Sequence, residues 1–179
     1  MRVAFLATAL FAFAAVVANA QEAVGVEIVE RGLYTMEVVE VQQDPSGVPH
    51  DVVQNLCHIS SSTAVPMKLN VHFGFRYRLI GVPEGQEVEV RAVTRYPTTV
   101  SPPGGPGPIT ESGYTGRLRA GVVSYHGYGF DYDWELIPGR WWLEIWQGKR
   151  RLAAQSFDVI DGLKEKPSEE APNCFELSS

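Results

Sequence analysis

Apolar and polar residues alternate with period two along most of this chain. The clearest case is Asn70 to Ile80, NVHFGFRYRLI, where Val71, Phe73, Phe75, Tyr77 and Leu79 share one face and His72, Gly74, Arg76 and Arg78 the other. Successive side chains of a strand point to opposite faces, so the segment buries one row and wets the other. After the turn Pro83-Glu84-Gly85-Gln86, Glu87 to Tyr96 returns with Val88, Val90 and Ala92 opposite Glu87, Glu89 and Arg91. That is a hairpin with a polar outer surface. Asp131 to Ile160 predicts three strands joined by tight turns at Pro138-Gly139 and Gly148-Lys149. In the first, Trp134 and Leu136 alternate with Asp133 and Glu135. In the second, Trp141, Leu143 and Ile145 face one way and Trp142, Glu144 and Trp146 the other. Trp141, Trp142 and Trp146 crowd so closely that the core is expected to be densest here.

The remaining strands are weaker. Val24 to Glu30 and Leu33 to Val41 are two runs that Gly32 breaks or bulges, and DPSGVP (Asp44 to Pro49) is turn chemistry. Asp51 to Ile59 is a strand carrying Cys57, followed by a polar connection from Ser60 to Pro66. Pro97 to Gly113 is so rich in proline and glycine that neither a helix nor a central strand is expected. Strand pattern resumes at Tyr114 to Tyr125 and around Tyr128 to Leu136, with Gly127 and Gly129 expected to mark a turn or bulge between them. No segment after the N-terminal leader has a helical period over three turns. Eight or nine short strands with turn signals between them predict an all-β protein, an antiparallel β-sandwich.

The ends change the picture of where the chain works. Met1-Arg2, the apolar run Val3 to Val17 and Ala18-Asn19-Ala20 read as a signal peptide over residues 1–20. The β-sandwich domain is then 21–160, and 161–179 is an acidic tail expected to be disordered unless Cys174 ties it down. The chain carries a formal charge of −6, and losing the leader removes one further arginine. Such acidity argues against nucleic acid and anionic membrane surfaces, both of which select basic patches. No later run is long enough to span a membrane. A periplasmic or secreted protein is expected, and in that compartment Cys57 and Cys174 are expected to form a disulfide bond. A redox or metal pair is the alternative reading, which no Cys-x-x-Cys spacing supports.

Candidate chemistry is sparse. Ser124 and His126 share a strand face, with Asp131 and Asp133 following. A serine hydrolase, though, presents its nucleophile on a strained turn beside an oxyanion hole, and no such pattern is present. Asp131, Asp133 and Glu135 would lie on one strand face, where a straight strand cannot wrap a calcium ion. Cross-strand ion pairs with Arg76, Arg78, Arg91 and Arg95 are the simpler account. His50, His58, His72 and His126 contain no pair at i, i+2 or i, i+4, so no metal site or other cofactor is expected. Trp142 and Trp146 are the candidate ligand-binding residues, because exposed aromatic rings on a flat sheet stack on sugars or anchor a protein partner. The plainer reading is that another element covers that face.

FGFRYRLIG (Phe73 to Gly81), TRYP (Thr94 to Pro97), DWELIPGRW (Asp133 to Trp141), EIW (Glu144 to Trp146) and QSFDV (Gln155 to Val159), in this succession, resemble a bacterial exported family defined only as a domain of unknown function. The likeness covers about Val26 to Ile160. The closing Leu-x-Pro-Gly-x-Trp pattern is also similar to bacterial immunoglobulin-like domains. The resemblance implies an immunoglobulin-like β-sandwich and brings no catalytic residues. The expected function is therefore a non-catalytic binding module, not an enzyme, for a protein or glycan of the cell envelope. The alternative is a carbohydrate-binding accessory domain, or a hydrolase using the Ser124, His126 and Asp131 region.

Overall fold

The structure is a computed structural model that describes residues 25–43, 48–164 and 172–175. The signal-peptide reading of residues 1–20 lies outside the described residues. Among the described residues ten strands form: β1 (Gly25–Gln43), β2 (Pro49–Ser60), β3 (Ala64–Pro66), β4 (His72–Ile80), β5 (Glu87–Val100), β6 (Ile109–Arg119), β7 (Ser124–Gly129), β8 (Gly139–Gln147), β9 (Arg150–Ile160) and β10 (Asn173–Phe175). They make two five-stranded sheets, ordered β10-β2-β1-β4-β7 and β3-β9-β8-β5-β6. The pairs are antiparallel except β3 with β9, which run parallel.

The alternation explains why the sheets face each other. Phe73, Phe75 and Tyr77 of β4 turn inward, as do Trp141, Leu143 and Ile145 of β8, and all six are essentially buried. Phe73 meets Trp141 edge-on at 6.0 Å and Phe157 of β9 at 5.0 Å between ring centroids. The buried Trp141 indole is satisfied by donating to the Ile137 carbonyl at 3.0 Å. Each such ring contributes on the order of 2–3 kcal/mol by leaving water, and edge-on contacts suit their quadrupoles.

Several sequence-based expectations need correction. Gly32 does not break the chain into two strands: the runs either side are one strand, β1, with a register shift beside the glycine, between Leu33 and Tyr34, and its first part pairs β4 and its second part β2. Gly127 and Gly129 are not a turn; they lie within β7. A Cβ on Gly127 would run into the Tyr125 ring, and one on Gly129 into the His72 ring, so these positions admit neighbouring side chains. Asp131 to Leu136 is not a strand but a short 3-10 helix, Asp133–Glu135. The cause is Glu135, whose carboxylate accepts the backbone N–H groups of Asp131 at 2.6 Å and Tyr132 at 2.9 Å and the Tyr128 hydroxyl at 2.9 Å. The carboxylate therefore folds the chain back, and Asp131, Asp133 and Glu135 do not form one face of a strand. β5 continues through Pro97 to Val100 and β6 begins at Ile109, so the proline-rich connection is narrower than its composition suggests. β6 is the edge of its sheet. Cys174 is bonded to Cys57 and lies in β10 against β2, while the disordered-tail reading of residues 165–171 and 176–179 lies outside the described residues.

Candidate functional site

The outer face of the second sheet is built on β8. With Trp141, Leu143 and Ile145 in the core, Trp142, Glu144 and Trp146 must point away from it. β5 brings Arg95 opposite Trp142, Val93 opposite Glu144 and Arg91 opposite Trp146. β6 adds Glu111 opposite Arg95. Trp142 is 38% exposed, whereas Glu144 beside it is 1% exposed.

A carboxylate that is buried on an outer face needs partners, and Glu144 has three. Its Oε2 accepts from Arg95 Nε at 2.9 Å and from Trp146 Nε1 at 2.8 Å, and its Oε1 accepts from Arg151 Nη1 at 2.9 Å. Arg95 also donates to Glu111, which accepts from Arg91 at 2.9 Å. Arg91, Glu111, Arg95, Glu144 and Arg151 thus form one alternating ladder. Burial alone would raise the Glu144 pKa. The hydrogen bonds from Trp146, Arg151 and Arg95, with the Arg95 charge, outweigh it and hold the carboxyl below its ordinary value. Three arginines against two glutamates leave the ladder with a net charge of only +1, so the face offers two indoles, one of them fixed, rather than a strong net charge. Along the strand the two tryptophans stand ~13 Å apart at ordinary strand rise.

The other sequence candidates fall in different places. His126 is a core histidine, 3% exposed, with Nε2 3.1 Å from the Val93 carbonyl oxygen and its ring edge-on to Phe75 and Tyr114. Burial pushes its pKa down to about 4, with the Val93 hydrogen bond opposing and His50 adding to the fall. Ser124 begins β7 opposite Tyr77. Asp131 lines a cavity of about 350 Å³ together with Asp51, His50, His72 and Glu135. Burial raises the Asp51 pKa, and the Asp131 charge adds to it; burial lowers that of His72 against the pull of Asp131 and Asp51. His126 therefore engages a backbone carbonyl, while Asp131 belongs to this separate cluster. The arginines pair across strands, with partners other than Asp131 to Glu135: Arg76 with Glu30 at 3.5 Å, Arg78 with Glu27 at 2.8 Å, and Arg91 and Arg95 in the ladder.

Sequence reasoning missed the burial of Glu144 and the approach of Asp51 and His72 to Asp131. The first had a signal, an acidic residue between two tryptophans with arginines at the same period on a neighbouring strand. The second had none, since Asp51 of β2, His72 of β4 and Asp131 just after β7 meet only through tertiary folding.

The chain belongs to the family described as a domain of unknown function (DUF3859), whose model matches residues 22–159. Its fold is similar to that of an immunoglobulin-like protein from Pseudomonas aeruginosa, known from a crystal structure. The two are 29% identical, the match covers 79% of this chain and 99% of that one, and the TM-score is 0.54. None of the curated proteins matches. The fold is accordingly an immunoglobulin-like β-sandwich.

Proposed function

We propose that this protein is a non-catalytic binding domain of the periplasm or extracellular space, and that it holds a protein partner of the cell envelope on the Trp142 and Trp146 face. The supporting observation is the Glu144 network. It fixes the Trp146 indole by a hydrogen bond, pairs both of its carboxylates with arginines and leaves the neighbouring Trp142 ring exposed. A rigid, amphipathic ring loses little conformational freedom on binding, which is why tryptophan and arginine dominate binding hot spots. The burial of His126 against a carbonyl supports a role without hydrolytic chemistry. The Cys57–Cys174 bond supports an oxidising compartment. No helix among the described residues is long and apolar enough to cross a membrane.

The reading is tested by presenting immobilised protein to solubilised envelope proteins and, separately, to a panel of envelope glycans. A protein retained by the wild type and lost by Trp142→Ala, with unchanged melting temperature, supports it. Equal retention by both forms removes this face from the proposal. Trp142-dependent binding of a glycan alone replaces the protein partner by a sugar.

A further inference from the structure

A larger cavity, about 890 Å³, opens where β1 and β2 of the first sheet approach β3 of the second. Small-molecule sites span ~300–1,000 Å³. Leu33 of β1, Ile59 of β2, Leu69 and Val71 before β4, and Leu163 after β9 give it apolar walls. The Ser62 hydroxyl on that wall is satisfied internally, donating to the Ala64 carbonyl at 2.9 Å and accepting the Ala64 N–H at 3.1 Å. None of the Trp142 face lines this space.

The charge of the lining runs against that of the protein. The chain has 21 acidic and 15 basic residues, yet among the described residues no carboxylate lines the cavity. Lys68 and Lys164, two of the four lysines in the sequence, do line it, and both are exposed. Among the described residues neither one is in an ion pair with a carboxylate. An apolar wall edged by two exposed lysines, neither in an ion pair among the described residues, complements one ligand chemistry, an apolar body ending in a negative group.

We propose that this cavity binds a free single-chain amphiphile with an anionic head, a carboxylate or a phosphate monoester. The alkyl body lies between Leu33, Ile59 and Leu69, and the head lies between Lys68 and Lys164. Displacement of a fluorescent polyene fatty acid, below every micellar concentration, tests the assignment. Dodecanoate and dodecyl phosphate are expected to displace the probe with saturation. Dodecanol and dodecyltrimethylammonium should be at least about tenfold weaker, the factor corresponding to ~1.4 kcal/mol. K68E/K164E should weaken the anionic ligands about tenfold or more while leaving dodecanol unchanged, since reversing two rim charges alters only the head-group contribution. Ile59→Trp should weaken all four by narrowing the apolar wall, and the melting temperature of the lysine variant should stay at the wild-type value. Equal affinity for all head groups, displacement by acetate or inorganic phosphate as effective as by the long-chain ligands, or no saturable displacement overturns the proposal. So does co-sedimentation with anionic lipid vesicles in the absence of monomer binding.

Discussion

Trp146 Nε1 donates to Glu144 Oε2 at 2.8 Å, two residues back along the same strand. Residues i and i+2 share a face of a strand, so the indole lies beside the carboxylate it anchors, while Arg95 and Arg151 donate to it from the neighbouring strands. Hydrogen bonds to a charged group contribute more than neutral ones, about 1.5–3 kcal/mol each, net of the bonds with water that they replace. The arginines are 40% and 53% exposed and recover hydration when released, which reduces the loss. Glu144→Ala is therefore expected to destabilise the domain by about 2–3 kcal/mol in urea unfolding, with Glu144→Gln intermediate. The sign with pH follows from the depressed pKa. The unfolded carboxyl titrates near 4.5 and the folded one below it, so this stabilisation is complete above 4.5 and is lost as pH falls through the folded value.

His126 works in a different window. Its folded pKa is about 4 against an ordinary value of 6.5, so between these values the unfolded chain binds a proton that the folded chain does not. Stability then falls as pH drops from 6.5 toward 4, by roughly 3 kcal/mol at most. His72, also lowered by burial, adds in the same direction. Unfolding free energies measured at intervals from pH 7.5 to 4 should show this slope, and His126→Gln should flatten most of it. A wild-type profile without slope above pH 4.5 would mean that the imidazole is hydrated rather than enclosed.

The Cys57–Cys174 bond joins residues 117 apart in sequence and holds β10 against β2. β10 is only three residues long and exposes Asn173 and Cys174, so its pairing alone gives little stability. The covalent link, by restricting the unfolded chain, contributes about 2–5 kcal/mol on the chain-entropy account. Removing both cysteines (C57A/C174A) should lower stability within that range, and peptide maps without reductant should contain the linked pair. Hydrogen exchange should then accelerate at Leu56, Cys57 and His58, the β2 residues that β10 covers.

Fold class was legible because two strands of strict alternation, β4 and β8, carry the core, and alternation is a local signal that tertiary packing preserved. Phe73, Phe75 and Tyr77 face Trp141, Leu143 and Ile145 as the pattern required. Alternation misled at Asp131 to Leu136, since a polar-apolar succession reads the same whether the backbone extends or wraps a carboxylate such as Glu135. Gly127 and Gly129 misled for the opposite reason: what excludes a Cβ there is the ring of Tyr125 or His72, and a glycine in sequence looks like a turn in either case. At the site, strand period placed Trp142 and Trp146 on one face. It gave no account of Glu144, whose partners Arg95 and Arg151 come from β5 and β9.

The four tryptophans separate the core from the platform. Trp141 is fully buried and hydrogen-bonded to Ile137, so Trp141→Ala should cost about 3–5 kcal/mol through the cavity it leaves. Trp146 is half-buried and anchors Glu144, and its removal should cost ~1–2 kcal/mol by losing one charge-assisted hydrogen bond and part of a packed ring. Trp142, exposed on the same face, makes no such bond among the described residues, and Trp142→Ala should change stability by less than ~1 kcal/mol. Acrylamide quenching of single-tryptophan variants gives an independent ranking, with Trp142 quenched most, Trp146 and Trp134 less and Trp141 least. That order, together with a stable Trp142→Ala protein, leaves an exposed ring whose loss the fold does not register, which is what a binding residue requires. If Trp142 is instead shielded and its removal costs several kcal/mol, the ring is packing, and the binding face must be sought elsewhere on the sandwich.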